Sequence, residues 1–385
     1  MTSTTGDRIQ APRPIHPRPE PRSGLLYPPR FMALLGLVVF LVALVLPFVN
    51  ASQYMMSIGT QALIYIMLAM GLNIVVGYAG LLDLGYYAFF AVGAYTAGVF
   101  NTALHVPLIW TVPMVIIACI AAGLIIGGPT LRLRSDYLAI VTLGFGEIIR
   151  LTANNLEVTG GPSGISGIST FEFFGWSFRD GLEIAGIEFP GYVLLYYFCL
   201  VVGGVLAVVA ASRLGRGKLG RAWRAIKDDE DAAEAMGINT YTTKLKAYVL
   251  GAVFGGLAGI LMGAHQTAVS PTSFVFLNSA LLLMAVVLGG MGSIPGVIIG
   301  ALVISLLPEL LREVAEWRFL VFGVLLVVMM IFRPAGVWPS TAVLPFLKFR
   351  APGQKPSPRD GFGDHDEDPA TAPADENIDK SKEQA

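Results

Sequence analysis

The chain has 385 residues, 54% of them hydrophobic and only 14% charged, with a net charge of −1. Soluble domains carry about 25% charged residues, so a polytopic membrane protein is the starting class, and no basic excess points to nucleic acid. Cys119 and Cys199 both lie inside apolar runs and offer neither a disulfide framework nor metal-ligand spacing.

Residues 1–30 hold seven prolines and five arginines and read as a disordered basic arm. Phe31–Val49 follows, with nineteen uncharged residues. A secretory apolar core is only about 7–15 residues long, so this run is expected to be a retained first helix, although Val49-Asn50-Ala51 loosely resembles a cleavage site. A membrane span needs about 20 apolar residues. On that basis further spans are predicted at Met55–Val76, Leu84–Phe100, Leu108–Gly127, Tyr137–Arg150 and Tyr192–Ala211, then Ala247–Ala264, Asn278–Gly290, Ile294–Leu307 and Phe319–Phe332. Several are short. No Asp, Glu, Lys or Arg occurs from Ala247 to Pro308, so three crossings there rest on length alone. The fold class is therefore all-α, with about ten transmembrane segments in a domain spanning residues 31–340. Residues 341–385 form a polar tail, expected to be disordered.

Starting from a cytoplasmic N-terminus, only Arg150, Arg179, Arg312 and Arg318 fall outside, leaving 22 of the 26 Lys/Arg inside. Basic residues accumulate in cytoplasmic loops, so both termini are predicted cytoplasmic. Residues 151–190 then form the longest outer loop. It is acidic and opens on Gly160, Gly161, Pro162 and Gly164, a density of Gly and Pro that marks tight turns.

The charged island 213–246 lies between two apolar segments and carries eight Lys/Arg. Within it Asp228 is placed to N-cap a short helix, with Asp229, Glu230 and Asp231 in its first turn and Asp231 at the capping-box position. Ala232, Ala233 and Met236 leave a small apolar face, and Gly237 is suited to end the helix in a left-handed conformation. Such an element fits a groove on another protein. Four carboxylates near it oppose adsorption to anionic lipid, the alternative use of a short amphipathic helix.

Other polar groups are fewer. Asp83 sits in a run broken by Gly77, Gly80 and Gly85, and a carboxylate in hydrocarbon costs about 2.5–3.5 kcal/mol. It either caps a half-helix or faces a translocation path. Tyr87 and Phe90 could line that path or simply pack. Thr142 and Glu147 could join an outer gate, or Glu147 could pair with Arg150 three residues on. Gly251, Gly255, Gly259 and Gly263 recur every fourth residue, a ridge for close helix approach. The glycine-broken runs at 77–95 and 288–303 share a pattern found at transport pathways. His105 and His265 have no metal partners at useful spacing, and no metal site is expected. No G-x-x-x-x-G-K-[ST] occurs: Gly217-Lys218 is followed by Leu219, so any ATP hydrolysis must come from another chain.

The run Asp231-Ala232-Ala233-Glu234-Ala235-Met236-Gly237-Ile238-Asn239 resembles the cytoplasmic coupling segment of branched-chain amino-acid ABC importer permeases, and specifically the M-type subunit. Gly71–Val99, Leu131–Ile149, Thr159–Ile168, Val287–Gly300 and Phe332–Pro339 extend that resemblance over roughly residues 31–340. It implies a non-catalytic permease without cofactors in a bacterial inner membrane. It further implies a second homologous permease, two cytoplasmic ATPases and an extracytoplasmic substrate-binding protein as partners. Asp228, Asp231, Ala232, Ala233, Glu234, Met236 and Gly237 would then carry the ATPase contact. A urea or amide importer of the same family, or an ion-coupled secondary transporter, are the alternatives.

Overall fold

A computed structural model describes residues 52–132, 135–173, 176–178, 181–184 and 187–310, with 43–45, 47 and single residues between 320 and 338. The described residues fall in the first of two units, Met1–Ala342; the second, Val343–Ala385, lies outside them. The arm at 1–30, most of the span expected at Phe31–Val49 and half of the residues expected at Phe319–Phe332 also lie outside.

Helix α1 (Gln53–Leu72) starts at Ser52, whose side chain accepts from the Met55 amide, and runs on through a π-helical turn at Asn73–Tyr78. After a glycine-rich break comes α2 (Tyr87–Ala103), then a 3-10 turn, Leu108–Thr111, leading into α3 (Val112–Thr130). Helix α4 covers Ser135–Asn155. Helix α5 (Gly191–Cys199), a π-helical stretch at Leu200–Leu206 and α6 (Ala207–Arg216) form one continuous rod. Two short helices follow, α7 (Lys218–Asp228) and α8 (Glu230–Ala235). The long α9 (Thr240–Gln266), α10 (Phe276–Gly289) and α11 (Ile294–Leu310) complete the bundle.

Among the described residues four helical runs are long and apolar enough to cross a membrane: Gln53–Tyr78, Leu108–Thr130, Gly191–Arg216 and Thr240–Gln266. The shorter segments expected near 84–100, 137–150, 278–290 and 294–307 are also helical, with somewhat different ends. Helix α9 begins seven residues before the expected Ala247, because Asn239 caps it by accepting from Thr242 N at 3.0 Å. The final turns of the charged island are therefore part of a spanning helix.

Helices α1 and α9 form the centre, and the glycine ridge explains why. A Cβ at Gly259 would stand 2.4 Å from the Phe90 carbonyl, and one at Gly93 would stand 2.2 Å from the Gly256 carbonyl. The backbones of α2 and α9 thus touch where neither carries a side chain. A Cβ at Gly256 would meet Cys119 Sγ at 2.2 Å, which brings α3 onto the same helix. Tyr86 completes the contact by donating its hydroxyl to the Gly251 carbonyl at 2.7 Å. Helix α3, by contrast, turns Ile117 and Ile125 outward, each 68% exposed, as expected of a helix facing lipid or a partner.

Strand structure is slight. The long loop after α4 contains β1 (Ile165–Ser166), the hairpin β2 (Glu172–Phe173) with β3 (Trp176–Ser177), and the hairpin β4 (Leu182–Ile184) with β5 (Ile187–Phe189). Strand β1 pairs antiparallel with β6 (Ala268–Val269) at the end of α9. This defines one end of the bundle, where Tyr54 on α1 also donates to Glu309 on α11. The α6–α7–α8 unit, the π-turn Asn73–Tyr78 and the α10–α11 break gather at the opposite end.

Candidate functional site

The charged island folds as a helical hairpin clamped to the bundle. Helix α7 turns Gly220, Trp223 and Ile226 inward, three residues apart on one face, while Arg221 and Arg224 face out. Gly215 and Gly220 let α6 and α7 touch; a Cβ on Gly220 would lie 2.1 Å from the Gly215 carbonyl. Trp223 is wholly buried and donates Nε1 to the Thr243 carbonyl of α9 at 2.8 Å. Lys227 donates Nζ to the Gly77 carbonyl at 2.8 Å, and Lys244 of α9 pairs with Glu230 of α8. Partial burial of the Lys227 ammonium lowers its pKa from the ordinary lysine value, and the Asp228 carboxylate opposes that shift.

Three details correct the sequence reading. The N-cap is Asp229 and not Asp228: Asp229 is extended (φ −160°, ψ 111°) and accepts from Ala232 N at 3.0 Å, while Asp228 is the last residue of α7. Asp231 therefore falls in the first turn and not at the capping-box position. Ala233 is buried against the bundle, so it does not belong to an outward face. Glu230, Asp231, Ala232, Glu234, Ala235, Met236 and Gly237 are exposed, Met236 by 83%. Gly237 ends the helix as expected, at φ +84°, with its own amide on the Glu234 carbonyl and the Ile238 amide on the Ala233 carbonyl.

The anchoring of α7 can be tested directly. Trp223→Ala removes a fully buried indole together with its hydrogen bond to the Thr243 carbonyl, a loss of about 3–5 kcal/mol. Trypsin cleavage after Arg221, Arg224 or Lys227 should accelerate by about tenfold or more, since opening is local to the hairpin. Unchanged cleavage would contradict the clamp.

Asp83 occupies the break between the π-turn and α2. It is fully buried, and its Oδ1 accepts from Gly85 N at 2.9 Å, so it closes a turn ahead of α2 and does not cap that helix, whose N-cap is Tyr86. Its Oδ2 has no hydrogen-bond partner among the described residues. Thr142 of α4 meets the same turn, accepting from Leu84 N at 3.2 Å, and Gly85 lies against the Thr142 carbonyl. Asp83 and Thr142 are thus brought together. Tyr87 and Phe90 are buried and stack edge-on at 5.2 Å, with Phe90 against Phe274, so both pack within the core. Glu147 is not at this cluster: it receives a two-oxygen contact from Arg150 Nε, 3.0 Å to each, on its own helix.

At the far end the loop after α4 is held closely. Gly160, Gly161 and Gly164 have φ of +76°, +57° and +72°, which suits glycine around Pro162. A Cβ on Gly164 would stand 2.1 Å from the Val269 carbonyl, beside the β1–β6 pairing. The loop that follows Pro162 is therefore fastened to the end of α9, the same helix that receives Trp223 at its other end. Sequence reasoning missed Asn73, Trp223 and Lys227 as connecting residues. A lone amide in an apolar run was the available signal for Asn73.

The family described as branched-chain amino acid transport system, permease component, matches residues 54–333. The high-affinity branched-chain amino acid transport system permease protein LivM of Salmonella typhimurium is 42% identical over 327 residues, covering 82% of this chain and 76% of that protein. LivM of Escherichia coli is 43% identical over 329 residues, 81% of this chain and 77% of its own length. LivH of Escherichia coli, named for the same kind of system, is 24% identical over 302 residues, 74% of this chain and 94% of its own. No solved structure matches. With a buried glycine-ridged helical bundle, apolar spans and a family match across most of its length, this chain belongs to the branched-chain amino acid transport permeases.

Proposed function

We propose that the chain is the M-type permease subunit of a bacterial ABC importer and moves branched-chain amino acids across the plasma membrane. In this reading it crosses the membrane ten times with both termini in the cytoplasm, and it pairs with a second, LivH-like permease. Two cytoplasmic ATPases supply the energy, and an extracytoplasmic binding protein delivers substrate. The observation that carries the reading is the α7–α8 hairpin. It is locked to the spanning helices by Trp223, Lys227 and Lys244, yet it holds Ala232, Ala235 and Met236 out toward solvent. A rigid base with a small apolar tip is what a moving partner needs in order to push the bundle. Asp83 and Thr142, buried at the helix break, are the polar residues assigned to the translocation path, and the 160–164 turn is assigned to the outer gate.

The sidedness test is a single cysteine, Ala235→Cys. Cys119 and Cys199 are both fully buried and give little background. A membrane-impermeant maleimide should label inverted vesicles but not intact cells, and labelling only from the cell exterior would sink the topology. Uptake by vesicles containing this chain and its four partner chains should stop when ATP is removed. Uptake that survives ATP depletion and collapses with an uncoupler would instead favour ion-coupled transport, and uptake of urea but not leucine would favour the amide branch of the family.

The outer gate carries its own expectation. Gly164→Val forces a β-branched residue into φ +72° with its Cβ against the Val269 carbonyl. The β1–β6 pairing should open and binding-protein-dependent uptake should fall by about tenfold, an energetic equivalent of about 1.4 kcal/mol. ATPase co-purification should stay at the wild-type level, since that contact is at the other end of the molecule. Wild-type uptake would remove the loop from the gate.

A further inference from the structure

The α1 span does not end as an α-helix. Its last six residues, Asn73–Tyr78, form a π-helical turn, and three separate parts of the molecule meet on it. Lys227, at the end of α7, lays its stem over Gly80, where a Cβ would stand 2.9 Å from Lys227 Cγ, and sets its ammonium on the Gly77 carbonyl at 2.8 Å. Tyr78 rests on Gly215 at the α6–α7 crossing, so close that a Cβ there would meet the ring at 2.8 Å. From the other side, Gly292 in the α10–α11 break donates its amide to Asn73 Oδ1 at 2.8 Å. Gly77 is pressed between these contacts, since a Cβ on it would lie 2.0 Å from Asn73 Oδ1 and 2.6 Å from Gly292 N. The same break is tied to the chain after the last expected span: the Val337 amide donates to the Leu288 carbonyl at 2.8 Å and Trp338 to Gly289 at 3.0 Å.

Asn73 is wholly buried, and its Nδ2 has no hydrogen-bond partner among the described residues. The orientation of this amide is fixed by its partner, because the Gly292 N–H can only face an acceptor. The unspent atom is therefore the donor. The carboxamide that carries it rests on Gly292, in the glycine-rich stretch Gly289–Gly292. A slide of the α10–α11 break past Asn73 that brought a carbonyl to Nδ2 would take the Gly292 amide from Oδ1, so the side chain would keep one partner in either position. Two such positions would make the interface bistable in the sense that transport requires. Single π-turns inside helices recur at functional positions, and here the Gly77 carbonyl of the turn accepts from Lys227.

We propose that the π-turn Asn73–Tyr78 is the relay between the cytoplasmic hairpin and the α10–α11 break, with Lys227 and Asn73 as its two positioning residues. Lys227 ties hairpin movement to the turn, and the Asn73 amide registers which of two positions the break occupies. The relay rests on the reading of α7–α8 as the ATPase contact, but it makes a separate statement about how that contact reaches the transport helices.

The test uses the complete importer in vesicles, comparing wild type with Lys227→Met, Lys227→Arg, Asn73→Leu and the double variant Lys227→Met/Asn73→Leu. None of these alters the exposed tip of α8. ATPase subunits should co-purify as with wild type, while uptake per ATP hydrolysed falls by about tenfold in Lys227→Met and Asn73→Leu alike, the range of ordinary coupling energies. Lys227→Arg, which keeps a donor, should recover most of the coupling. Two clasps in series should not multiply, so the double variant should be no worse than either single variant. Normal uptake per ATP in Lys227→Met, or a multiplicative double variant, overturns the relay. Should Asn73→Leu fail to accumulate, Lys227→Met and its arginine rescue decide the matter alone, since Lys227 is at an exposed position. If the ATPases do not bind the wild-type chain at all, the reading of the hairpin falls and the relay falls with it.

Discussion

Gly259→Val is expected to keep the chain from accumulating as a folded membrane protein. The added Cβ would meet the Phe90 carbonyl at 2.4 Å, Ala94 N at 2.6 Å and the Gly93 carbonyl carbon at 3.1 Å. All three are backbone atoms of α2, so no side-chain rotation can relieve the clash. Relief requires α9 and α2 to separate, which would also pull Tyr86 from the Gly251 carbonyl and unpack Gly93 from Gly256. Overpacking a core by even one methylene typically costs about 1–3 kcal/mol, and valine adds three carbons to a site with space for none. The monodisperse peak in detergent should fall to about a tenth of wild type or less, a size of loss that matches such a cost against a marginal total stability. Gly263→Ala is the control on the same ridge: its nearest neighbours are side-chain atoms of Ile168 and Val269 at 3.6 and 3.8 Å, ordinary contact distances. It should accumulate normally. A normal peak from Gly259→Val would show that α2 and α9 do not approach this closely.

Charging the tip of α8 should have the opposite signature, normal accumulation with lost function. Ala235 and Met236 are exposed, so Ala235→Arg and Met236→Asp disturb nothing within the chain. If the tip seats in an ATPase groove, Met236 contributes the burial of one large apolar side chain, worth about 1.5–3 kcal/mol. Its loss alone weakens binding by about tenfold to a hundredfold. An arginine at Ala235 adds a steric and desolvation penalty, because a small-residue face admits close approach that a long side chain blocks. Co-purification of the ATPases and ATP-driven uptake should both collapse, while the peak in detergent and trypsin resistance of the hairpin stay unchanged. Ala233→Arg is not equivalent. Ala233 is buried beneath the tip, so that variant should detach α8 itself and raise trypsin sensitivity as well. Retained ATPase binding in both Ala235→Arg and Met236→Asp would rule out the tip as the contact.

Periodicity and composition carried the architecture a long way. Apolar runs located the helices from 53 to 310, the four-residue glycine period located the central helix contact, and the acidic run followed by Gly237 located a short capped helix. These signals are local, so they survive without knowledge of neighbours. Boundaries moved where a cap decided them: Asn239 starts α9 early, and Asp229 displaces Asp228 because Asp228 is still the last residue of α7. The role of Ala233 was inverted for a related reason. On a helix of six residues the inward face is chosen by what the helix packs against, and its own pattern is too short to show it.

Residue chemistry read along the chain could say that this polypeptide is a multi-helical membrane protein with a charged island between apolar segments and no ATP-binding loop motif in its sequence; that it is a permease came from its resemblance to a family. Hydrophobic length, charge sidedness and glycine spacing are enough for the former, since each is a property of a continuous segment. Which groups meet across the bundle was settled only by folding. Lys227 finds Gly77 across 150 residues, Asn73 finds Gly292 across 219, and Asp83 shares its turn with Thr142 while Glu147 stays with Arg150. Such pairings depend on helix rotation and on backbones approaching within van der Waals contact, and no one-dimensional pattern encodes either.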